Sequence, residues 1–137
     1  MLIGGSKHAI DAKGRIFFPA RFKEELWDDI IACRGLDKNL MLFNRQEWIL
    51  FTDRIKRQPF STALKLQRHF MSEAAECSVD GQGRLLLPQL LREFAGLKKD
   101  VHVTGAQNHA EIWDVEEWQR AQLTNDEVRE IVDNADF

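Results

Sequence analysis

Polar and apolar residues nearly alternate along two short stretches of this chain, which predicts half-buried strands at residues 6–11 and 76–80. Each stretch runs into a tight Asp-x-x-Gly turn, in which Asp can bond its own backbone and Gly can adopt a positive φ. Short apolar runs, each opened by an arginine, follow the turns at residues 15–18 and 84–87. These runs predict two short, fully buried strands.

Helical spacing begins after each apolar run. Pro19 and Pro88 end the runs and fit the first turn of a helix, where a missing N–H costs nothing. Two longer helices are predicted at residues 46–56 and 61–69, with a break at Pro59. The inward faces predicted for the two short helices consist of Phe22 and Leu26 in the first and of Leu90, Leu91 and Phe94 in the second.

Two hairpins complete the pattern. Residues 30–34 are predicted to pair with 40–43, and residues 101–104 with 110–113, each pair around a glycine-containing turn. A good N-cap residue follows each hairpin and another opens the tail, each with a glutamate three positions on: Asn44 with Glu47, Asp114 with Glu117, and Thr124 with Glu127.

The same order of elements occurs twice because the chain is an internal duplication. Residues 11–19, DAKGRIFFP, match residues 80–88, DGQGRLLLP, at a constant offset of 69. A unit of roughly 50 residues buries little apolar area and leaves strand edges unpaired, so we expect the copies to interlock by exchanging hairpins. After a one-residue insertion the register continues at offset 70, in the pairs Gly35 and Gly105, Leu42 and Ile112, Phe43 and Trp113, Glu47 and Glu117, and Trp48 and Trp118.

The repeated D-x-x-G-R-x-x-x-P pattern, followed by a helix and a hairpin, resembles the AbrB-type swapped-hairpin domain. Two tandem copies in a chain of this length resemble the MraZ family of bacterial transcriptional regulators. The family usually has Glu-Tyr where this chain has Gly5-Ser6, and Gln82 replaces the lysine of the first loop. The similarity runs from Met1 to about Trp118, through Ile3-Gly4, Lys7-His8 and residues 11–15 in the first copy and residues 74–76, 80–84 and 111–113 in the second.

The resemblance implies a mainly β fold with short helices (α+β), in which a tandem duplication of a swapped-hairpin β-barrel forms one pseudo-symmetric body. It divides the chain into a first repeat over residues 1–53, a helical connection over 54–73, a second repeat over 74–121 and a C-terminal helical tail over 122–137. It further implies a cytoplasmic, nucleoid-associated regulator that forms a homo-oligomer, preferably a closed ring. Its partner would be double-stranded DNA with repeated operator boxes, upstream of the cell-division and cell-wall gene cluster.

Charge is divided unevenly along the chain, whose formal net charge is −3. Residues 1–72 carry 13 Lys and Arg against 8 Asp and Glu, a balance of +5, whereas residues 73–137 carry 6 against 14, a balance of −8. A basic half beside an acidic half fits a nucleic-acid face on the first, although uneven charge can also merely keep a small protein in solution. Five further cations either extend the basic surface or form a solvated helix face: Arg54, Lys56, Arg57, Lys65 and Arg68.

Arg15 can fork two hydrogen bonds to a guanine edge or clamp a phosphate, or it can pair with Asp11 across its own turn as a structural residue. Lys13 suits a phosphate as a point charge. Because Gln82 and the acidic half lower the charge around the second loop, we expect the first loop to be the better DNA surface. The candidate DNA contacts are Arg15, Lys13, Lys7, His8 and Arg84, and the expected turn-formers are Asp11, Gly14, Asp80 and Gly83.

Other classes of protein find little support in the sequence. We see no export signal and no apolar run near the roughly 20 residues that span a bilayer, so we expect reduced thiols at Cys33 and Cys77. No catalytic, phosphate-binding or metal-ligand spacing is present, so we expect no enzyme, cofactor, metal or small-molecule substrate. The alternative is an antitoxin-like or scaffold oligomer of the same fold that binds a protein partner.

Overall fold

Each copy turns its sequence pattern into the same series of strands and helices. The computed structural model describes residues 1–26 and 29–137. The first copy and the segment after it contain β1 (Gly5–Ala9), β2 (Arg15–Phe17), α1 (Ala20–Leu26), β3 (Ile30–Arg34), β4 (Asn39–Asn44), α2 (Arg45–Lys56) and α3 (Phe60–Phe70). The second copy and the tail contain β5 (Ala75–Cys77), β6 (Arg84–Leu86), α4 (Gln89–Ala95), β7 (Asp100–Gly105), β8 (Ala110–Asp114), α5 (Val115–Ala121) and α6 (Asn125–Asn134).

Strand pairing crosses from one copy to the other. β1 pairs with β7 of the second copy, with Gly5 opposite Thr104, and β5 pairs with β3 of the first copy, with Cys77 opposite Ile30. The two hairpins meet through β4 and β8, which gives an antiparallel six-stranded sheet in the order β1-β7-β8-β4-β3-β5. The expected interlocking of two copies into one pseudo-symmetric α+β body is confirmed. The residue boundaries given above for the two repeats stay a prediction.

β2 and β6 form a separate antiparallel ribbon, one strand from each copy. Backbone bonds also join the end of each strand to the turn of the other copy: Phe18 N–H donates to Gly83 C=O at 3.0 Å, and Leu87 N–H donates to Gly14 C=O at 2.9 Å. The strands of the described residues thus form a six-stranded sheet and a ribbon, linked by isolated bridges, and the expected barrel is not closed.

The main core lies between one face of the six-stranded sheet, the ribbon, and helices α1 and α4. Ile16 and Leu85 face each other across the ribbon and are fully buried. Phe22 and Leu26 close the core from α1, as their helical spacing predicts. One apolar core is therefore built jointly by the two copies.

Two predicted buried faces are wrong at single residues. Alternate residues of the ribbon point outward, so that Phe17 is 61% exposed and Leu86 is 53% exposed, because a two-stranded ribbon covers the core with one face only. On α4 the predicted inward face is confirmed at Leu91, which is buried, and at Phe94, which packs half-buried against the core, but it is wrong at Leu90, which is exposed. Ala95 turns inward instead, four residues after Leu91.

The outer face of the six-stranded sheet is covered differently in the two copies. Over the first copy, α2 and α3 bury a second apolar cluster that includes Phe43 and Phe70. Over the second copy, α5 brings Trp118 onto His102, with ring centroids 4.1 Å apart. The last helix, α6, has no buried residue.

The three predicted helix caps are present, and one of them uses a different backbone partner. The Asn44 side chain accepts the backbone N–H of Glu47, and Thr124 forms a reciprocal capping box with its own glutamate. Asp114 instead accepts the backbone N–H of the residue two positions on.

Cys33 and Cys77 are buried free thiols, and burial raises their pKa values to about 12 and about 11, which disfavours the reactive thiolate.

Both Asp-x-x-Gly turns place glycine in the left-handed region, with φ of +82° at Gly14 and +79° at Gly83. Their surroundings differ. A Cβ on Gly14 would lie 2.5 Å from Nε of Arg92, whereas a Cβ on Gly83 would meet no described atom within 4 Å. The two turns therefore have the same backbone conformation but different surrounding residues.

Replacing either ribbon core residue should destabilise the whole molecule. Ile16→Ala and Leu85→Ala should each lower the free energy of unfolding by about 2–5 kcal/mol, because each leaves a cavity in the shared core. Urea unfolding at one protein concentration should show a single transition for each variant. Two separate transitions would mean that the copies fold independently.

The two turn glycines offer a matched pair. Gly14→Ala and Gly83→Ala should each cost about 1–3 kcal/mol of unfolding free energy, because a side chain disfavours positive φ. Gly14→Ala should cost more, because Arg92 must also move aside. An equal or larger loss for Gly83→Ala in the same urea titration would contradict the packing described here.

Candidate nucleic-acid interface

The two Asp-x-x-Gly-Arg turns have the same hydrogen bonds. Asp11 Oδ1 accepts the backbone N–H groups of Lys13 and Arg15, both at 2.9 Å, and its Oδ2 accepts Nε of Arg15 at 2.8 Å. Asp80 repeats this pattern, with its Oδ2 3.1 Å from Nε of Arg84. Each aspartate therefore closes its turn and fixes the direction of the guanidinium that follows.

Ionisation strengthens this arrangement. The backbone N–H of Arg15 is the main cause that lowers the pKa of Asp11, and that of Arg84 does the same for Asp80. Hydrogen bonds to the charged form of a carboxyl favour that form. Both carboxylates are therefore ionised at neutral pH, and their hold on the arginines is lost as acid protonates them.

The aspartates engage one side of each guanidinium. Arg15 and Arg84 are half-buried, and each donates through Nε to its own aspartate. Among residues 1–26 and 29–137, no acceptor is hydrogen-bonded to the Nη groups of either arginine. An arginine carries five N–H donors, so each side chain keeps donors for an external acceptor.

Pairing of β2 with β6 brings the two arginines together. Arg15 lies opposite Leu86, and Phe17 lies opposite Arg84, so the four residues share the outer face of the ribbon. Beside them is a groove of about 250 Å³. Four of the residues singled out from the sequence line that groove: His8, Asp11, Arg15 and Arg84.

The remaining candidates lie in different settings. Lys13 is exposed at the tip of the first turn. Lys7 and His8 are neighbours on β1 and therefore point to opposite faces, and Nζ of Lys7 lies 3.7 Å from Oδ2 of Asp100. Burial lowers the pKa of His8, and its Nε2 lies 2.7 Å from Oγ of Ser6, so at neutral pH it offers a hydrogen bond but no charge.

Arg92 is a residue that the sequence analysis missed. It belongs to α4 of the second copy, but the exchange of strands places its guanidinium against Gly14 of the first turn. Its Nε donates to Leu87 C=O at 2.9 Å. One signal was available, because the duplication also places a cation, Lys23, at the corresponding position of the first copy.

Two structural observations bear on other classes of site. Within the described ranges, no group of three His, Cys, Asp or Glu residues is placed to hold a metal ion. No helix there is long and apolar enough to cross a membrane.

Comparison with known proteins gives one consistent answer. The family model described as "MraZ protein, putative antitoxin-like" matches residues 1–68 and 70–135. A protein of Carboxydothermus hydrogenoformans is 43% identical over 136 residues, which are 95% of each chain. Relatives from Heliobacterium modesticaldum and Caldicellulosiruptor saccharolyticus are 45% and 43% identical over 122 residues, 88% of this chain and 85% of each relative. All three carry the name "Transcriptional regulator MraZ". This chain belongs to the MraZ family.

Proposed function

We propose that this protein is a sequence-specific DNA-binding transcriptional regulator, and that the β2–β6 ribbon with its two turns is the surface that binds duplex DNA. The observation that carries the proposal is the pair of aspartate-oriented arginines, Arg15 and Arg84, on one outward face. The name of the relatives supports regulation of transcription.

The ribbon suits the major groove of DNA, which admits a two-stranded β-ribbon. A guanidinium held by a carboxylate loses little conformational freedom on binding, and its free Nη groups can reach a guanine edge or a phosphate. The outward side chains of Phe17 and Leu86 fit contacts with thymine methyl groups. Lys13, at the tip of the first turn, fits a phosphate. Base reading and backbone contact would thus come from one surface.

The first turn carries more positive charge than the second. The positive charges around the first turn are those of Lys13, Arg15 and Arg92, and the negative charge is that of Asp11, which gives a local balance of +2. In the second turn Arg84 stands against Asp80, a balance of zero. Because phosphate neutralisation supplies much of the affinity for DNA, the first turn should dominate binding.

The working form, in this proposal, is a homo-oligomer that closes into a ring and binds repeated operator boxes upstream of the cell-division and cell-wall gene cluster. It would act in the cytoplasm, in association with the nucleoid. The resemblance to the family supports this picture, and so does the apolar surface that a single chain leaves exposed. Several equivalent first turns in one ring would convert weak single contacts into useful affinity.

Arg15→Ala should weaken binding to a multi-box operator by about 1–3 kcal/mol, and Arg84→Ala should weaken it clearly less at the same salt concentration. Lys13→Ala should flatten the slope of log affinity against log salt by about one unit, because one phosphate contact is lost. Fluorescence anisotropy over a salt series measures both quantities. Arg57→Ala, which removes a cation from the end of α2, is the matched control and should leave affinity unchanged.

Three results would contradict this assignment. If the Arg15→Ala variant lacks the circular dichroism spectrum of the folded protein, Arg15 is a structural partner of Asp11. Equal losses for the two arginine variants would mean that both turns bind equally. Wild-type protein without salt-dependent binding to duplex DNA would favour the antitoxin-like or scaffold alternative.

Assembly and operator spacing can be tested together. Light scattering at micromolar concentration should return a mass above twice the 15.9 kDa of one chain. A duplex with one box should bind far more weakly than one with several correctly spaced boxes, because the linked contacts are lost. A mass of one chain, or equal affinity for both duplexes, would contradict the oligomeric part of the proposal.

A further inference from the structure

An apolar groove of about 420 Å³ opens on the outer face of the six-stranded sheet, between α2 and the turns of the two hairpins. Leu36 is 82% exposed and Leu50 is 53% exposed, so two large apolar side chains flank it in water. Its remaining apolar lining comes from Met41, Phe43 and Phe51, and its polar lining comes from Glu47, Arg54, Asn108 and His109.

The duplication shows that the fold does not require the two exposed leucines of this groove. At offset 70, Leu50 corresponds to Arg120 and Met41 corresponds to Glu111. Leu36 corresponds to an alanine. The second copy forms the same hairpin and a helix after it with polar or small residues at these positions. The exposed leucines that flank the groove are therefore particular to the first copy, and the fold does not need them for packing.

The same chain contains an apolar helix face that is exposed to solvent. Val128 and Ile131 lie three residues apart on α6 and are 44% and 55% exposed. The corresponding helix after the first copy, α3, buries Ala63 and Phe70. A ten-residue helix is marginal in water without a packed face, so the capping box at Thr124 alone does not explain α6.

Charge on the two surfaces is complementary. The tail over residues 122–137 carries five acidic residues and one arginine, a balance of −4. The α2–α3 segment over residues 45–70 carries six Lys and Arg against two acidic residues, a balance of +4. Opposite potentials steer association and fix its orientation. An acidic amphipathic helix is thus the kind of occupant that fits an apolar groove beside the basic α2–α3 segment.

We propose that α6 of one subunit docks in the groove of a neighbouring subunit, with Val128 and Ile131 against Leu36 and Leu50. This proposal rests on the homo-oligomer of the proposed function and identifies its contact. Because the helix and the groove are different surfaces, the contact is heterologous, and successive subunits add head to tail until rotation closes a ring. The basic α2–α3 surface then faces another subunit, and the ribbon remains for DNA.

Two variants with one defective surface each provide the test. Leu50→Asp impairs the groove and keeps the helix, and Ile131→Asp impairs the helix and keeps the groove. Each alone should fall to the 15.9 kDa of a single chain in light scattering. An equimolar mixture should give a heterodimer of twice that mass and no larger species, because the mixed pair has a single intact contact. Both substituted side chains are exposed, and circular dichroism checks that each variant is folded.

The control uses the internal duplication. Arg120→Asp places the same residue at the position of the second copy that corresponds to Leu50, and it should keep the wild-type mass. Full-size assemblies in either single variant, or a mixture that stays monomeric, would overturn the proposal. Dissociation by Ile131→Asp alone would show that the helices pair with each other, which also overturns it. A wild-type chain that is itself monomeric would do the same.

DNA binding separates this proposal from the one on which it rests. Dissociated Leu50→Asp protein has an intact ribbon and should bind a single-box duplex with the same dependence on Arg15 as wild type. If the variants show no docking but DNA binding still depends on Arg15, the proposed DNA surface is supported and the proposed subunit contact is contradicted. If the mixture forms the heterodimer but no species binds DNA, the subunit contact is supported and the DNA surface is contradicted.

Discussion

The antiparallel pairing of β2 with β6 is the constraint on which the rest of the structure depends. Each strand comes from a different copy, and the backbone of each turn is bonded to the end of the other copy's strand. The inner face of the ribbon closes the shared core through Ile16 and Leu85. Its outer face carries Arg15 and Arg84. Stability and the candidate DNA surface are thus two faces of one short ribbon.

The ion pair within each turn orients a side chain and adds little to stability. Exposed ion pairs contribute little because water and salt screen them. The carboxylate of Asp11 nevertheless accepts two backbone N–H groups and the Nε of Arg15, so the turn and the guanidinium have one common anchor. The structural and DNA-binding interpretations of Arg15 are therefore compatible, because the bond from Nε to Asp11 leaves the Nη groups able to donate to another acceptor.

Local features of the fold could be predicted from sequence, and features that depend on distant pairing could not. The turn glycines, the caps at Asn44 and Thr124 and both hairpins follow from residues close together in the chain. The exposure of Phe17 could not be predicted in this way, because an apolar run does not reveal that only one face of its strand packs against the core. Arg92 was missed for a related reason, since the exchange of strands alone brings α4 beside the first turn.

Hydrogen exchange on the wild-type oligomer, with and without operator DNA, tests the ribbon most directly. Peptides that cover residues 12–18 and 81–87 should exchange more slowly when operator is bound, and the first should be protected more strongly. A scrambled duplex should give weaker protection, and residues 45–70 should be unaffected by either. Protection confined to residues 45–70, with both turns unchanged, would place DNA on the α2–α3 surface and contradict the account.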